Sequence, residues 1–322
     1  LAHLIYSSQI PMAAFLGGIA VNYNSNFLDT GDDWMVEEAD EYDRSFLQLS
    51  PNLAIIGSLD PDHLDIYGTH EAMIESYLEF GKRIKPNGLL LLSDTIPEPV
   101  QNQFRTQLKT IRIKTYGLGG SDYRFEFIGT DSGYILFNYI RNNYNMINLR
   151  LKMPGNHNLR NAVAAIALAE ELGISQESIR ASLENFKGIK RRFEWIKESD
   201  TRVLIDDYAH HPEELNSAIG ACRSMYPSRK ITGIFQPHLY SRTRDFLHEF
   251  ASVLSQLDQL ILVELYPARE SEIIGINSEA IYNLVSLEYK YLTTKKSLPE
   301  LLHKLDLDVV MTLGAGDLDG MQ

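Results

Sequence analysis

The feature that most limits how this chain can fold is a recurring succession: a short apolar run, a polar loop rich in acidic, histidine or asparagine residues, then a helix. Leu53-Ala54-Ile55-Ile56-Gly57-Ser58 leads into Asp60. A helix is expected from Thr69, a natural N-cap, to Lys85, with Pro86-Asn87-Gly88 as its stop. Gly88 to Ser93 is a second apolar run, followed by Asp94. Runs this short and this apolar fit strands covered on both faces, and strand–helix–strand spacing predicts a parallel α/β sheet.

The rest of the chain continues the pattern with one interruption. Leu1 to Ser8 reads as a helix that Gly17-Gly18 breaks, and Asp33 to Glu38 as a strand entering an acidic loop. Between Asp122 and Leu151, alternating aromatics and the turn Asp131-Ser132-Gly133 predict small antiparallel strands. Helices are expected over Ala162–Leu172, ended by Gly173, and from Ser175 to Phe186. Strands at Val203–Ile205, Ile231–Phe235, Gln259–Leu265 and Val309–Leu313 then alternate with helices at Pro212–Met225 and Thr243–Leu257. A hinge near Gly188 to Arg192 divides the chain into domains 1–190 and 191–322.

Charge and cysteine content narrow the function. With 30 Lys and Arg against 43 Asp and Glu, the net charge is −13, and no basic block marks a nucleic-acid binder. An anionic ligand would have to meet local groups such as helix starts, arginines or a metal. No apolar run is long enough for a membrane span. The single cysteine, Cys222, excludes an intrachain disulfide, fits a reducing cytoplasm and reads as a packing residue.

Six constellations carry possible chemistry. Glu38-Ala39-Asp40-Glu41-Tyr42-Asp43 and Asp60-Pro61-Asp62-His63-Leu64-Asp65 each follow a strand, where carboxylates could hold Mg²⁺ against nucleotide phosphates; solvated or capping loops are the competing reading. Gly155-Asn156-His157-Asn158-Leu159-Arg160-Asn161 opens a helix, and Asn158 and Asn161 share a face. Their amides offer the donor and acceptor that an adenine edge needs, although a plain N-cap would read the same. Lys187 to Phe193 places four cations in one stretch, suited to phosphate or simply to a solvated linker. Asp206-Asp207-Tyr208-Ala209-His210-His211-Pro212 could hold a ribose hydroxyl through an Asp and touch substrate through a His; zinc is disfavoured for want of a third ligand at suitable spacing. Pro237 to Arg244 brings Arg242 and Arg244, which suit a carboxylate or phosphate or a charged surface.

Taken in order, these motifs resemble the Mur ligase family. The segments are Glu-Ala-Asp-Glu-Tyr-Asp-Arg-Ser-Phe (38–46), Asp-Pro-Asp-His-Leu-Asp-Ile-Tyr-Gly (60–68), Gly-Asn-His-Asn-Leu-Arg-Asn-Ala (155–162), Lys-Arg-Arg-Phe (190–193), Asp-Asp-Tyr-Ala-His-His-Pro (206–212) and Pro-His-Leu-Tyr-Ser-Arg-Thr-Arg (237–244). Tyr-Pro-Ala-Arg-Glu (266–270) and Gly-Ala-Gly-Asp (314–317) fit the branch that joins L-alanine to UDP-N-acetylmuramate. The resemblance implies a central parallel-sheet domain like that of P-loop ATPases, with a small antiparallel insertion, followed by a Rossmann-like C-terminal domain.

By the same resemblance, Glu38 and His63 are the Mg²⁺ ligands, Asn158 and Asn161 the adenine contacts, and Arg191 the ATP-phosphate contact. Asp207 holds the ribose or orients the C-terminal domain, while His210, His211, Arg242 and Arg244 handle the amino acid and the acidic groups of the sugar nucleotide. ATP and Mg²⁺ are the implied cofactors, and UDP-N-acetylmuramate and L-alanine the small-molecule partners. The family's Gly-Lys-Thr phosphate loop and UDP-binding domain are expected upstream of Leu1, so the chain reads as a fragment not competent alone. Glu37 stands where an apolar residue is more usual. Two other functions fit similar motifs: a ligase that recycles a whole tripeptide onto UDP-N-acetylmuramate, and a non-catalytic nucleotide-binding module. Arg-Ser-Phe-Leu-Gln-Leu-Ser-Pro (44–51) favours the alanine-adding branch over the first.

Overall fold

The computed structural model describes residues 1–61, 64–131, 133–142 and 144–318. They form two compact units, one of residues 1–19 and 23–186, the other of residues 20–22 and 187 onward.

The first unit contains two sheets. One has three strands in the order β2-β1-β3, where β1 is Met12–Ala20, β2 Ser25–Asp29 and β3 Trp34–Glu37; β1 and β3 run parallel. Gly17 and Gly18 lie inside β1 and do not break the preceding helix, Ala2–Ser7. That helix stops earlier, at Gln9, which adopts φ 58°, followed by Ile10-Pro11. The other sheet has six strands in sequence order: β4 Leu53–Ile56, β5 Leu89–Ser93, β6 Arg112–Gly117, β7 Tyr123–Asp131, β8 Tyr134–Arg141 and β9 Tyr144–Leu151. Its first four strands are parallel, and β7, β8 and β9 form the expected antiparallel set.

Strand β5 is apolar because it is covered on both faces: Leu89 to Leu92 are all fully buried. Against it packs the helix His70–Arg83, through Met73, Leu78 and Phe80. Thr69 caps this helix as expected, its Oγ1 accepting the Ala72 N–H at 3.2 Å. Each such side chain taken from water contributes about 1.5–3 kcal/mol, enough for this layer to hold the strand ends in place.

The second unit is a six-stranded sheet in the order β10-β11-β15-β12-β13-β14. Its strands are β10 Glu194–Glu198, β11 Val203–Asp207, β12 Ile231–Phe235, β13 Gln259–Val263, β14 Lys290–Thr293 and β15 Val309–Leu313. All pairings are parallel except that of β10 with β11. The helix Pro212–Met225 forms as expected, with Cys222 fully buried on its inner face. Burial pushes the Cys222 thiol up to about 12, so it is an inert packing group. The helix expected from Thr243 to Leu257 is two helices, Tyr240–Asp245 and Leu247–Leu254, because Phe246 leaves helical geometry at φ −120°, ψ 26°. No helix among the described residues is long and apolar enough to cross a membrane.

Candidate active site

In open parallel sheets ligands meet the carboxyl ends of the strands, and both units carry their polar motifs there. In the first unit, Glu38 follows β3 directly. Its Oε2 accepts the Gly17 N–H at 2.9 Å, and its own N–H donates to Phe15 O at 3.1 Å. A Cβ on Gly17 would occupy the place of the Glu38 carboxylate, so a larger residue there would push that side chain aside. Glu38 is solvent-exposed, an oxygen donor at a strand end.

The neighbouring acidic loop is largely self-bonded. Asp40 Oδ1 accepts the Tyr42 N–H at 3.0 Å, and the Tyr67 hydroxyl donates to Glu41 O at 2.5 Å. Asp60 bonds to Ser58. His63 and Asp62 lie outside the described residues. Among the described residues no three His, Cys, Asp or Glu side chains gather as a metal cage. A single carboxylate nevertheless suits Mg²⁺, a hard cation that keeps several waters and takes further oxygens from phosphates.

The motif at 155–161 begins the helix Asn156–Glu171, which starts ahead of Ala162, where the alanine-rich run placed it. Gly155 takes φ +98° as its N-cap, a conformation open to glycine. Asn158 Nδ2 donates to Pro154 O at 2.7 Å, while Asn161 is exposed one turn on. Sequence reasoning missed what anchors this turn. Arg160 forks onto Asp94 just beyond β5, with Nε to Oδ1 at 2.6 Å and Nη2 to Oδ2 at 3.4 Å. Only the Asp following a strand hinted at it.

In the second unit the loops after β11, β12, β13 and β15 converge. Arg191, at φ 58°, donates through Nη2 to Gly314 O at 2.7 Å and Gly316 O at 3.3 Å. Its Nε faces Asp206 Oδ2 at 3.5 Å, and its guanidinium lies 4.7 Å from the centre of the Tyr208 ring. Asp206 is buried, and its Oδ1 accepts the Thr312 hydroxyl at 2.5 Å. The loop at 314–317 is shaped by Gln236, which sequence reasoning also missed. Gln236 Oε1 accepts the Asp317 N–H at 3.1 Å, and a Cβ on Gly316 would collide with that same oxygen.

Asp207 closes the turn before β10. Its two oxygens accept the N–H groups of Phe193 and Ala209, each at 2.8 Å. Burial nevertheless outweighs these bonds and pushes its carboxyl up to about 6 from 3.8. A carboxyl whose pKa is raised by folding contributes stability below the unfolded value, and that contribution is lost as pH rises through the folded value. Between pH 4 and 6 the protein is therefore expected to lose on the order of 2 kcal/mol through Asp207. Asp207→Asn should flatten that part of the pH profile, measured as the difference in urea unfolding midpoint between wild type and variant. Parallel profiles for the two proteins would refute the assignment.

Beyond Asp207 the rings of Tyr208, His210, His238 and Tyr266 form a continuous series. Centroids are 5.2 Å apart for Tyr208–His210, 6.3 Å for His210–His238 and 5.6 Å for His238–Tyr266, the last pair nearly parallel at 12°. Arg242 Nη1 comes within 3.5 Å of His238 Nδ1. Burial first, then the charges of Arg242 and His210, holds His238 below the usual imidazole range, so it is largely neutral at pH 7. Glu270 secures the first turn of the helix carrying Arg242, accepting the Ser241 N–H at 2.9 Å and its hydroxyl.

His210 and Arg242 thus both lie against His238. His211 instead packs edge-on against Phe246 at 4.5 Å, and its N–H donates to Glu214 at 3.0 Å. Arg244 is turned to Asp245 at 2.7 Å and is exposed. Adjacent residues on an extended segment, and residues two apart on a helix, point different ways, so only one of His210 and His211, and one of Arg242 and Arg244, reaches the cluster.

Comparison with known proteins bears on this arrangement. Residues 19–169 match the family model described as Mur ligase middle domain, and residues 191–316 the one described as Mur ligase, glutamate ligase domain. A UDP-N-acetylmuramate–L-alanine ligase of Cytophaga hutchinsonii is 45% identical over 99% of this chain and 68% of its own length. A protein of the same name from Phocaeicola vulgatus is 42% identical over 99% of this chain and 69% of its own. The crystal structure of a UDP-N-acetylmuramate–alanine ligase from Thermotoga maritima superposes with a TM-score of 0.79 at 26% identity, covering 99% of this chain and 69% of that one.

Proposed function

The chain belongs to the Mur ligase family, and from that premise we propose that it is part of an ATP-dependent ligase joining L-alanine to UDP-N-acetylmuramate in peptidoglycan precursor synthesis. The observation that carries the reading is the 45% identity to a ligase of that name across nearly the whole chain. The muramic acid carboxylate attacks the γ-phosphate of ATP, giving an acyl phosphate and ADP. The amine of L-alanine then attacks the acyl carbon and phosphate leaves.

The protein's task in such a sequence is placement and charge neutralisation. Asn158 and Asn161 read the adenine edge, and Asp207 takes the ribose. Arg191 meets the phosphates with its rigid fork. Arg242 binds the amino acid's carboxylate, and the rings of Tyr208, His210 and His238 enclose its small side chain. Glu38 would hold Mg²⁺, which when bound neutralises phosphate charge. His211 and Arg244, each with a local partner, support the loops carrying these groups.

ADP release by the intact protein tests this, with UDP-N-acetylmuramate and a panel of amino acids and the tripeptide as acceptors. Release is expected only when both the sugar nucleotide and L-alanine are present. Release with the tripeptide alone would assign the recycling reaction instead, and no release with any acceptor would leave a nucleotide-binding module.

A further inference from the structure

The first turn of the helix Asn156–Glu171 should be the least secure part of it. The first four N–H groups of any helix lack an intrahelical partner, and a side-chain cap normally compensates. Gly155, the N-cap here, has no side chain to do so. The turn that carries Asn158 and Asn161 is held in other ways. Asn158 bonds to Pro154 O, and Arg160, between the two asparagines in sequence, is locked onto Asp94.

Asp94 is itself fixed. It follows β5, whose leucines are fully buried, and its Oδ2 accepts the Leu118 N–H at 2.7 Å beyond β6. Gly117, at φ +139°, lies against its carboxylate so closely that a Cβ there would collide with it. Both members of the ion pair are mostly shielded, with side-chain exposures of 21% for Arg160 and 18% for Asp94. A forked arginine–carboxylate bond defines direction as well as distance. Residue 160 lies about 100° round the helix from residue 161, so fixing Arg160 fixes the direction in which the asparagine face points.

We infer that Asp94, acting through Arg160, is the positioning residue of the nucleobase-reading turn. The inference rests on the proposed adenine contacts of Asn158 and Asn161. Base recognition through side-chain amides depends on angle, and a small rotation of the turn costs adenine affinity without unfolding the helix, whose inner face remains packed through Leu159, Val163 and Ile166.

The test is calorimetric titration of the intact protein with ADP, GDP and UDP-N-acetylmuramate, in wild type, Arg160→Ala, Arg160→Lys and Asp94→Asn, each with its unfolding midpoint. Arg160→Ala and Asp94→Asn are expected to weaken ADP about ten-fold and GDP less, so that discrimination between the two bases shrinks. Affinity for the sugar nucleotide should stay unchanged, and Arg160→Lys should recover part of the loss. Unaltered ADP affinity in folded Arg160→Ala would overturn the inference. So would equal weakening of all three ligands with a lowered midpoint, which marks a general structural role. Wild type that binds the sugar nucleotide but not ADP would instead overturn the functional reading beneath it.

Discussion

Truncation of Arg191 to alanine is expected to destabilise the second unit by about 3–5 kcal/mol, in addition to any loss of turnover. The carboxylate of Asp206 is buried at the end of β11, with one oxygen taken by Thr312 and the other facing the Arg191 guanidinium at 3.5 Å. Removing the guanidinium leaves a buried charge without its counterion and deprives the carbonyls of Gly314 and Gly316 of their donor. Arg191→Lys keeps the charge but cannot face Asp206 through one nitrogen while another donates to both carbonyls, and should cost less stability than alanine. Asp206→Asn in the Arg191→Ala background removes the stranded charge and should restore more than half the loss. Urea unfolding followed by Trp195 fluorescence, in a Trp34→Phe background that silences the tryptophan of the first unit, measures this locally, since Trp195 lies on β10 and bonds to Tyr226. A midpoint for Arg191→Ala close to that of wild type would show that the arginine is aimed at ligand alone.

That arginine marks where sequence reading stops. Lys187 to Phe193 could be recognised as a cation cluster, and the family resemblance singled out Arg191. Neither indicated that its partners would be Asp206 and the carbonyls 123 and 125 residues along the chain. The buried parallel strands were legible because two covered faces leave an unbroken apolar run, as in Leu89–Leu92. The edge strands β10 and β14 were not, since Glu-Trp-Ile-Lys-Glu and Lys-Tyr-Leu-Thr mix polar and apolar residues at half-exposed positions. The apolar periodicity from Thr243 to Leu257 is continuous, so nothing in the pattern announced the break at Phe246.

The motif loops were legible as chemistry, but their supports were not. Gln236, Asp94 and Glu270 each act on a residue from a distant segment: Gln236 on the 314–317 loop, Asp94 on Arg160 and Glu270 on Ser241. Such residues carry no local signature, because their meaning depends on which strand ends the sheet order brings side by side. Gly17 is the clearest instance. Read locally, Gly17-Gly18 ends a helix; in the sheet, Gly17 makes room for a carboxylate 21 residues away.

That pairing yields the other large expected effect. Glu38→Ala in the intact enzyme should lower turnover by about 10²–10³-fold with little change in folding, because Glu38 is exposed and bonds only through Gly17 and its own backbone among the contacts described. Gly17→Ala should reproduce part of this without touching any functional group. Its new methyl occupies the space of the Glu38 carboxylate and forces that side chain aside, at an expected cost of about ten-fold in turnover. The Mg²⁺ concentration for half-maximal rate should rise in both variants while the affinity for UDP-N-acetylmuramate stays constant. The decisive comparison is the double variant. If Gly17 acts only through Glu38, adding Gly17→Ala to Glu38→Ala changes nothing further, and the two effects are wholly non-additive. Additive losses would place Gly17 in contact with ligand independently of the carboxylate, and an unchanged rate in Glu38→Ala would remove Glu38 from the metal site.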